Sequence, residues 1–353
     1  MRRLGARLRS MASAAGAELR ERTRAESFEF DGGRPRILTV RGESGEEQIR
    51  ADLFVDATGR RGALRSLSPA LRTWCSDALP SDLCTAAQEV RRIEDTRHAA
   101  DFLGRYDAKD GDALSFLGIA GGFSTLTIHV HVDRAEIAIL TGAIADGRHP
   151  DGPQMMKKFL ERESWIGEKI FGGSGLIPLR RPFARQAVPG LALIGNAGSQ
   201  VFPAHGSGIG SGLIAARLLA ESAAAYDDVG GLEPLWAYQQ RFQRTIGAVN
   251  AAYDQFRLFS QTLSGGEVGD LLGAGLMRAS SSLAALDQKI PAIGIGEGAA
   301  LTFAAARAPR LAARFIRPVR AMRRAYAHYL AYPQTPDDDA LRTWAARESE
   351  LFS

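Results

Sequence analysis

The stretch LALIGNAGSQVFPAHGSGIGSGLIAARLLAES, residues 191–222, decides the fold class of this chain. Its first four residues form a short apolar run, of the kind found in parallel strands that are covered on both faces. Gly195 ends that run, and glycines crowd residues 206–212. The apolar, alanine-rich segment from Ile209 onward predicts a helix. A strand, a glycine loop and a helix in this order indicate an α/β sheet.

The composition of the loop indicates a ligand site. Glycine adopts positive φ and lets a ligand approach the main chain closely. The first N–H groups of the helix that follows have no partner inside the helix, and its dipole is positive at this end. We therefore expect an anionic or electron-rich ligand here. The alternative is a tight strand–helix crossover that binds nothing.

The same stretch resembles the second flavin motif of the FAD-dependent oxidoreductase superfamily with the p-hydroxybenzoate-hydroxylase fold. That superfamily includes aromatic monooxygenases, flavin halogenases and geranylgeranyl-reductase-like enzymes. Gly195-Asn196-Ala197-Gly198 stands where the family has G-D-A-A/G, and residues 203–210 stand where it has a proline and a glycine loop. The family's aspartate, which bonds a ribityl hydroxyl of FAD, is replaced by Asn196. An amide can still form that hydrogen bond, but without its charge-assisted strength.

A second stretch, residues 50–60, resembles the superfamily segment that passes beside the FAD pyrophosphate and ribityl chain. It is an apolar strand that ends in Ala57-Thr58-Gly59. Small residues suit close backbone approach at the carboxyl end of a strand, where open α/β sheets place ligands. Arg60, Arg61 and Arg65 follow, either facing phosphate or lying on a solvated loop.

The resemblance implies FAD as the cofactor and NAD(P)H as the electron donor. The cofactor-binding residues that it implies are Asp56, Ala57, Thr58, Gly59, Arg60, Gly195, Asn196, Ala197, Pro203, His205, Gly206, Ser207, Gly208, Ile209 and Gly210. His205 is either a flavin contact and proton relay, since histidine titrates near neutrality, or a histidine of a surface loop.

No catalytic acid or base can be assigned from the sequence. His129 and His131 alternate on one face of a predicted strand. Because no carboxylate or cysteine cluster accompanies them in sequence, we predict no metal site there. The interpretations that remain are a polar sheet surface and a substrate contact.

One expected part of the superfamily pattern is missing. The superfamily begins with a strand, G-x-G-x-x-G and a helix, but here no G-x-G-x-x-G follows a strand. Residues 1–30 resemble the family only from its middle, and residues 294–299, which come nearest to the motif, are predicted as a loop before a helix. We therefore expect the adenosine-binding half of the FAD domain to be absent, and a separate chain is a candidate to supply it.

The predicted fold class is α/β: a partial Rossmann-like FAD-binding domain, an inserted antiparallel-sheet substrate domain and a helical C-terminal region. The gap of about 135 residues between the two flavin motifs fits such an insertion. The predicted boundaries are 1–68 for the first FAD part, 69–177 for the substrate sheet, 178–225 for the second FAD part and 226–353 for the helical region. Within the sheet domain, alternation predicts a strand over 124–132 with a partner at 136–140, and a helix over 155–170.

Composition is that of an ordinary globular protein. The 353 residues are 45% hydrophobic and 24% charged. There is no apolar run of ~18 residues, so no spanning helix is predicted. Two cysteines are too few for a disulfide framework, and we expect a cytoplasmic protein. A net charge of +4 gives no reason to expect nucleic-acid binding.

Near the C-terminal end, arginines recur at steps of three or four between apolar residues. They are Arg307, Arg310, Arg314, Arg317, Arg320, Arg323 and Arg324. Pro309 and Pro318 are expected to break this segment into short helices. A solvated arginine face over a core helix is the favoured interpretation, and peripheral contact with an anionic membrane is the alternative.

The function implied by the resemblance is an FAD-dependent oxidoreductase, a reductase or monooxygenase that acts on a hydrophobic small molecule. The run Ser-Gly-Leu-Ile-Ala-Ala at 211–216 favours the geranylgeranyl-reductase branch. The halogenase signature W-x-W-x-I-P is not found around Trp165. The alternative is a non-catalytic remnant of the flavin fold that acts as a binding or partner protein.

Overall fold

The computed structural model describes residues 2–291 and 295–353. Its strands are β1 (Arg24–Asp31), β2 (Arg34–Gly42), β3 (Gly45–Arg50), β4 (Phe54–Asp56), β5 (Leu83–Ile93), β6 (Ala113–Leu117), β7 (Ser124–His131), β8 (Glu136–Ile144), β9 (Ile166–Pro178), β10 (Ala187–Val188) and β11 (Leu191–Leu193). Its helices are α1 (Arg2–Ala14), α2 (Ala63–Leu67), α3 (Pro69–Arg72), α4 (Thr96–Arg105), α5 (Gly152–Arg162), α6 (Ile209–Ala224), α7 (Leu232–Phe242), α8 (Ala248–Ser260), α9 (Gly265–Gly273), α10 (Ala279–Leu286), α11 (Ile295–Arg307), α12 (Pro309–Leu330) and α13 (Asp338–Leu351). Of the loop predicted over 294–299, Gly294 lies outside the described residues, and the remainder is wrong because α11 begins at Ile295.

A small sheet of order β10-β11-β4 joins the two stretches that carry the flavin motifs. Strands β11 and β4 run parallel, with Leu191 opposite Phe54 and Leu193 opposite Asp56. Phe54 of β4 and Leu191 and Leu193 of β11 are buried together with Leu64 of α2. The expected return of the chain to the same sheet, after a long insertion, is confirmed.

An antiparallel sheet β1-β2-β3 precedes β4. Its first hairpin turns at Gly32 and Gly33, which both have positive φ, as a two-residue hairpin turn requires. The second turn joins Gly42 to Gly45. Glycines therefore occupy both turns of this sheet.

The inserted region forms a five-stranded antiparallel sheet of order β6-β7-β8-β5-β9. One face packs on α4 and α5 through a core that includes Phe102, Ile128 and Met156. The predicted strand pair is confirmed as β7 and β8, joined by the turn Val132–Arg134.

The helix predicted over 155–170 is wrong at both ends. Helix α5 begins at Gly152, where Asp151 and Gln154 form a capping box, and it ends at Arg162. Residues from Ile166 onward belong to β9 instead. The chain reverses direction near Trp165, whose side chain is buried in the core. Apolar spacing alone does not reveal this reversal.

The C-terminal region is helical, as predicted. Helices α7 and α8 are joined through a π-helical turn, Gln243–Gly247, and α8 packs against α12. The expected break at Pro318 is wrong: α12 runs through it, and Pro318 is buried. Tertiary packing outweighs the hydrogen bond that proline removes. Pro309 does separate α11 from α12, because it occupies the first turn of α12.

Candidate functional site

The parallel pairing of β4 and β11 brings two glycine turns together at the carboxyl ends of these strands. The turn Gly59–Arg61 follows β4 and the turn Gly195–Gly198 follows β11. Arg65 joins them, because its Nη1 donates to the carbonyl oxygen of Ala197 at 2.8 Å. Two motifs far apart in sequence therefore form one site.

Asp56 shapes the first turn. Its carboxylate is fully buried, and Oδ1 accepts hydrogen bonds from the backbone N–H of Thr58 at 3.0 Å and from Thr58 Oγ1 at 2.7 Å. Oδ2 accepts from the backbone N–H of Arg65 at 2.7 Å. The side chain of Asp56 therefore organises the turn, and a contact between Asp56 and a cofactor stays a prediction.

The rest of the first turn is open. Ala57, Thr58 and Arg60 are exposed, and Gly59 has φ +74°. A Cβ atom on Gly59 would meet no atom within 4 Å, so the turn borders empty space. Arg65, by contrast, is not free for phosphate, since its guanidinium lies over the Phe183 ring at 4.9 Å and holds Ala197.

A buried amide network supports the second turn from behind. The N–H of Gly195 donates to Gln200 Oε1 at 2.7 Å, and Gln200 Nε2 donates to Gln186 Oε1 at 2.9 Å and to the Tyr238 hydroxyl at 2.8 Å. Tyr238 in turn donates to the carbonyl oxygen of Leu193. Sequence reasoning missed these residues; the only signal was the presence of glutamines inside otherwise buried segments.

On the outer side of the second turn, some polar groups have no hydrogen-bond partner among the described residues. Asn196 is half-buried, and its side-chain amide makes no hydrogen bond within the part of the chain that the structure describes. A Cβ on Gly208 would lie 3.2 Å from Asn196 Oδ1, whereas one on Gly210 would meet nothing within 4 Å. No side chain caps α6, whose first N–H groups therefore remain available.

Comparisons with known proteins find similar sequences and similar folds. No known protein-family profile matches the chain. A digeranylgeranylglycerophospholipid reductase of Sulfolobus acidocaldarius is 24% identical over 350 residues, which span 93% of this chain and 72% of that protein. Among solved structures, a geranylgeranyl bacteriochlorophyll reductase-like protein of Thermoplasma acidophilum has a TM-score of 0.68 at 15% identity, covering 90% of this chain and 74% of that one. A myxobacterial chondrochloren halogenase, described as FAD-dependent, has a TM-score of 0.56 at 17% identity, covering 96% and 75%.

The chain is thus similar in sequence to a reductase and in fold to enzymes of the FAD-dependent oxidoreductase superfamily. Its fold is the mixed α/β arrangement of these neighbours, with an antiparallel sheet and a helical C-terminal region.

The paired turns fit the flavin nucleotide of this superfamily. Gly59 and Gly210 leave room that a side chain would fill, and Asn196 offers an amide donor and acceptor to a hydroxyl. The uncapped amino end of α6 suits an anionic group. These donors match a chain of hydroxyls that ends in phosphate.

His205 is held away from bulk solvent. Its ring packs on Phe202 with centroids 4.6 Å apart, and its Nε2–H donates to the carbonyl oxygen of Ala285 in α10 at 3.2 Å. Burial lowers the pKa of His205 below its ordinary value of 6.5. The ring is therefore neutral near pH 7 and ties the glycine loop to α10. The contact with Ala285 was not predicted from the sequence, and a flavin contact of His205 stays a prediction.

Other contacts place α10 and the residues after it beside the glycine loop. Ser211 Oγ donates to Gln288 Oε1 at 3.3 Å, and the Tyr253 hydroxyl donates to the carbonyl oxygen of Lys289 at 2.9 Å. Of the other predicted positions, Pro203 is buried, Gly206 and Gly208 are half-buried, and Ser207, Ile209 and Gly210 are exposed.

The five-stranded sheet meets the glycine loop at one end. Cys84, Ile144 and Leu179 pack with Val201, and a Cβ on Gly206 would touch Ile177 and Leu179 at 3.6 Å. The sheet face that α4 and α5 leave uncovered therefore extends from the glycine loop.

His129 lies half-buried on the uncovered face of the sheet. His131 shares its end of the strand with Asp110 and Asp133, whose potential ligand atoms lie within 4.8 Å of one another. Asp110 Oδ1 already accepts the backbone N–H of Val132, which explains its position without an ion.

Proposed function

We propose that this chain is an FAD-dependent reductase that acts on carbon–carbon double bonds of a hydrophobic, isoprenoid-type substrate. The observation that carries the proposal is the pairing of the turns Gly59–Arg61 and Gly195–Gly198, with free polar groups on their open side. The similarity to a digeranylgeranylglycerophospholipid reductase along 93% of the chain favours this substrate class and reduction as the reaction.

When bound, FAD supplies the hydride that reduces the double bond, and NAD(P)H is the proposed source of electrons. The residues of this chain bind the flavin and orient it. Asn196 hydrogen-bonds a ribityl hydroxyl, and the amino end of α6 stabilises negative charge nearby. The network of Gln186, Gln200 and Tyr238 keeps the turn in the geometry that this requires.

Exposed apolar side chains near the loop support a hydrophobic substrate. Ile209, Leu213 and Ile214 of α6 are each more than 40% exposed, and Leu283 and Leu286 of α10 are more than 60% exposed. Large apolar side chains gathered beside a ligand site indicate an apolar ligand or partner.

Among the described residues no strand pairs with the outer edge of β4, and this edge supports a further element of the proposal. The N–H of Phe54 donates to Gly190 and the carbonyl of Asp56 accepts from Ile194, so both groups face β11. In a strand, the main-chain groups of the residue between, Val55, point to the opposite edge. We propose that a strand of the polypeptide that holds the adenosine half of FAD pairs there, within this protein or from a separate chain.

Anaerobic incubation with FAD, NADPH and a geranylgeranylated lipid tests the proposed reaction. Mass spectrometry should show the gain of two hydrogens for each reduced double bond, and Gly210→Leu should abolish the gain. An oxygenated product under air would instead indicate a monooxygenase. Flavin binding with neither product would indicate a binding protein.

A further inference from the structure

We propose that the outer face of α12 docks on the surface of an anionic phospholipid bilayer. The first observation is charge segregation. Residues 298–336 contain seven arginines and no aspartate or glutamate. These seven charges exceed the net charge of the whole chain, +4, so the rest of the chain is net negative. Such separation is a feature of surfaces that bind an anionic partner.

The second observation is that the arginines near the carboxyl end of α12 are not used inside the protein. Arg314 pairs with Glu267. Among the described residues, Arg317, Arg320, Arg323 and Arg324 have no acidic partner within 4 Å, and all four are exposed. Four unpaired guanidinium groups within eight residues repel one another, and an external anion relieves that repulsion.

The third observation is the orientation of the helix. Pro318, Ala325 and Tyr329 face inward and are buried, and α12 packs along α8. The opposite face carries the four arginines together with two exposed aliphatic side chains, Ile316 at 46% and Leu330 at 39%. Ala313 and Ala327 are exposed on the same face, and their small side chains allow a flat surface to come close.

This pattern fits a bilayer surface better than a nucleic acid. Proteins that hold single-stranded nucleic acid combine cations with exposed aromatic rings on which bases stack. On α12, Phe315 and Tyr326 are partly covered, and the large exposed apolar side chains are aliphatic. Arginines that flank aliphatic side chains suit lipid headgroups and the acyl boundary below them.

The test is sedimentation of the full chain with phosphatidylcholine vesicles, with and without phosphatidylglycerol. We expect binding only to the anionic vesicles, and weaker binding as salt rises. Replacing the four arginines by glutamine (R317Q, R320Q, R323Q, R324Q) should lower the partition coefficient about five-fold per arginine, which corresponds to ~1 kcal/mol each. Single variants R320Q and R324Q give the same test should the fourfold variant not fold.

The matched control removes four exposed cations elsewhere: R148Q, K157Q, K158Q and R162Q, in and before α5. Its partition coefficient should stay within about two-fold of that of the unchanged protein, because only the long-range charge differs. Absence of binding to anionic vesicles would overturn the proposal, and so would an equal loss in the control variant. Tighter binding to a single-stranded RNA through the same four arginines, without vesicle binding, would also overturn it.

Discussion

The paired glycine turns and the ion cluster under the C-terminal helices each join segments that are far apart in sequence, but they do so in opposite ways. In the cluster, Arg257 lies between Asp254 and Asp82, while Arg181 bonds Glu348 and Asp254. The charged groups of this cluster pair with one another. The second glycine turn is supported from behind by uncharged amides, and the side-chain amide of Asn196 on its outer side makes no hydrogen bond among the described residues.

We therefore expect the ion cluster to contribute to folding stability and the outer side of the glycine turns to contribute to ligand binding. A buried ion pair holds the fold only while all of its members are present, because an unpaired buried charge is costly. The side-chain amide of Asn196 has no hydrogen-bond partner among the described residues, so its substitution should change ligand affinity far more than folding. The predictions below test that separation, from the largest expected effect to the smallest.

Arg257→Met should cause the largest loss. The side chain is 1% exposed, and its removal leaves Asp254 buried with Arg181 as its remaining cation. We expect the free energy of unfolding to fall by about 3–5 kcal/mol in urea titrations. Arg217→Met, in an exposed pair with Glu221, should change it by less than ~1 kcal/mol. Equal effects would show that the cluster does not hold the helical region.

Gln200→Leu should have an intermediate effect on stability. It leaves the N–H of Gly195 and the Oε1 of Gln186 without their partner in a buried site. We expect a loss of about 1–3 kcal/mol in the free energy of unfolding. Gln48→Leu removes an exposed glutamine that bonds Glu29 and should stay within ~0.5 kcal/mol. A Gln200 variant as stable as the Gln48 variant would contradict the supporting role of the network.

Substitutions of Asn196 should alter flavin affinity and leave stability nearly unchanged. Asn196→Asp should tighten FAD binding by on the order of 1 kcal/mol, because a charge-assisted hydrogen bond replaces a neutral one. Asn196→Ala should weaken it by a similar amount. Fluorescence titration measures both variants, and identical affinities in all three proteins would place Asn196 away from the ribityl chain.

The smallest expected effect is a pH dependence that comes from His205. Because burial lowers its pKa in the folded state, the unfolded chain binds more protons between that lowered pKa and about 6.5. Its contribution to stability is therefore complete above about 6.5 and is lost as the pH falls. His205→Phe should flatten the decline measured by urea unfolding from pH 7 to 5. His328, whose pKa is also lowered by burial, remains in both proteins and cancels in the comparison. Parallel curves would contradict this assignment.

The glycine turns were predictable from sequence because their signals are local. Apolar runs that end in Gly59 and Gly195, followed by the apolar helix from Ile209, indicate strands, turns and a helix without knowledge of the rest of the chain. The roles of Asp56 and Arg65 were not predictable, because both depend on partners that only the folded turn supplies.

Two elements were predicted wrongly because contacts with distant parts of the chain determine them. Apolar spacing from Met155 to Ile170 continues across a reversal of the chain at Trp165, so it predicts one helix where a helix and a strand occur. Pro318 normally marks a helix break, but packing of its neighbours against α8 keeps α12 continuous. The spacing of residues in the sequence does not tell which residue a distant helix or strand will cover.

Flavin binding by the chain itself tests the central claim most directly. FAD is titrated to about 1 mM, where binding of ~4 kcal/mol is detected, into the unchanged protein, Gly210→Leu and Gly269→Leu. Both glycines are helical, and a Cβ at either would meet nothing within 4 Å. Gly210 lies in the first turn of α6, two residues after Gly208, where a Cβ would lie 3.2 Å from Asn196 Oδ1, whereas Gly269 lies in α9. The account predicts saturable binding of one FAD per chain that is lost in Gly210→Leu and kept in Gly269→Leu. Absence of saturable binding, or equal affinity in all three proteins, would contradict it.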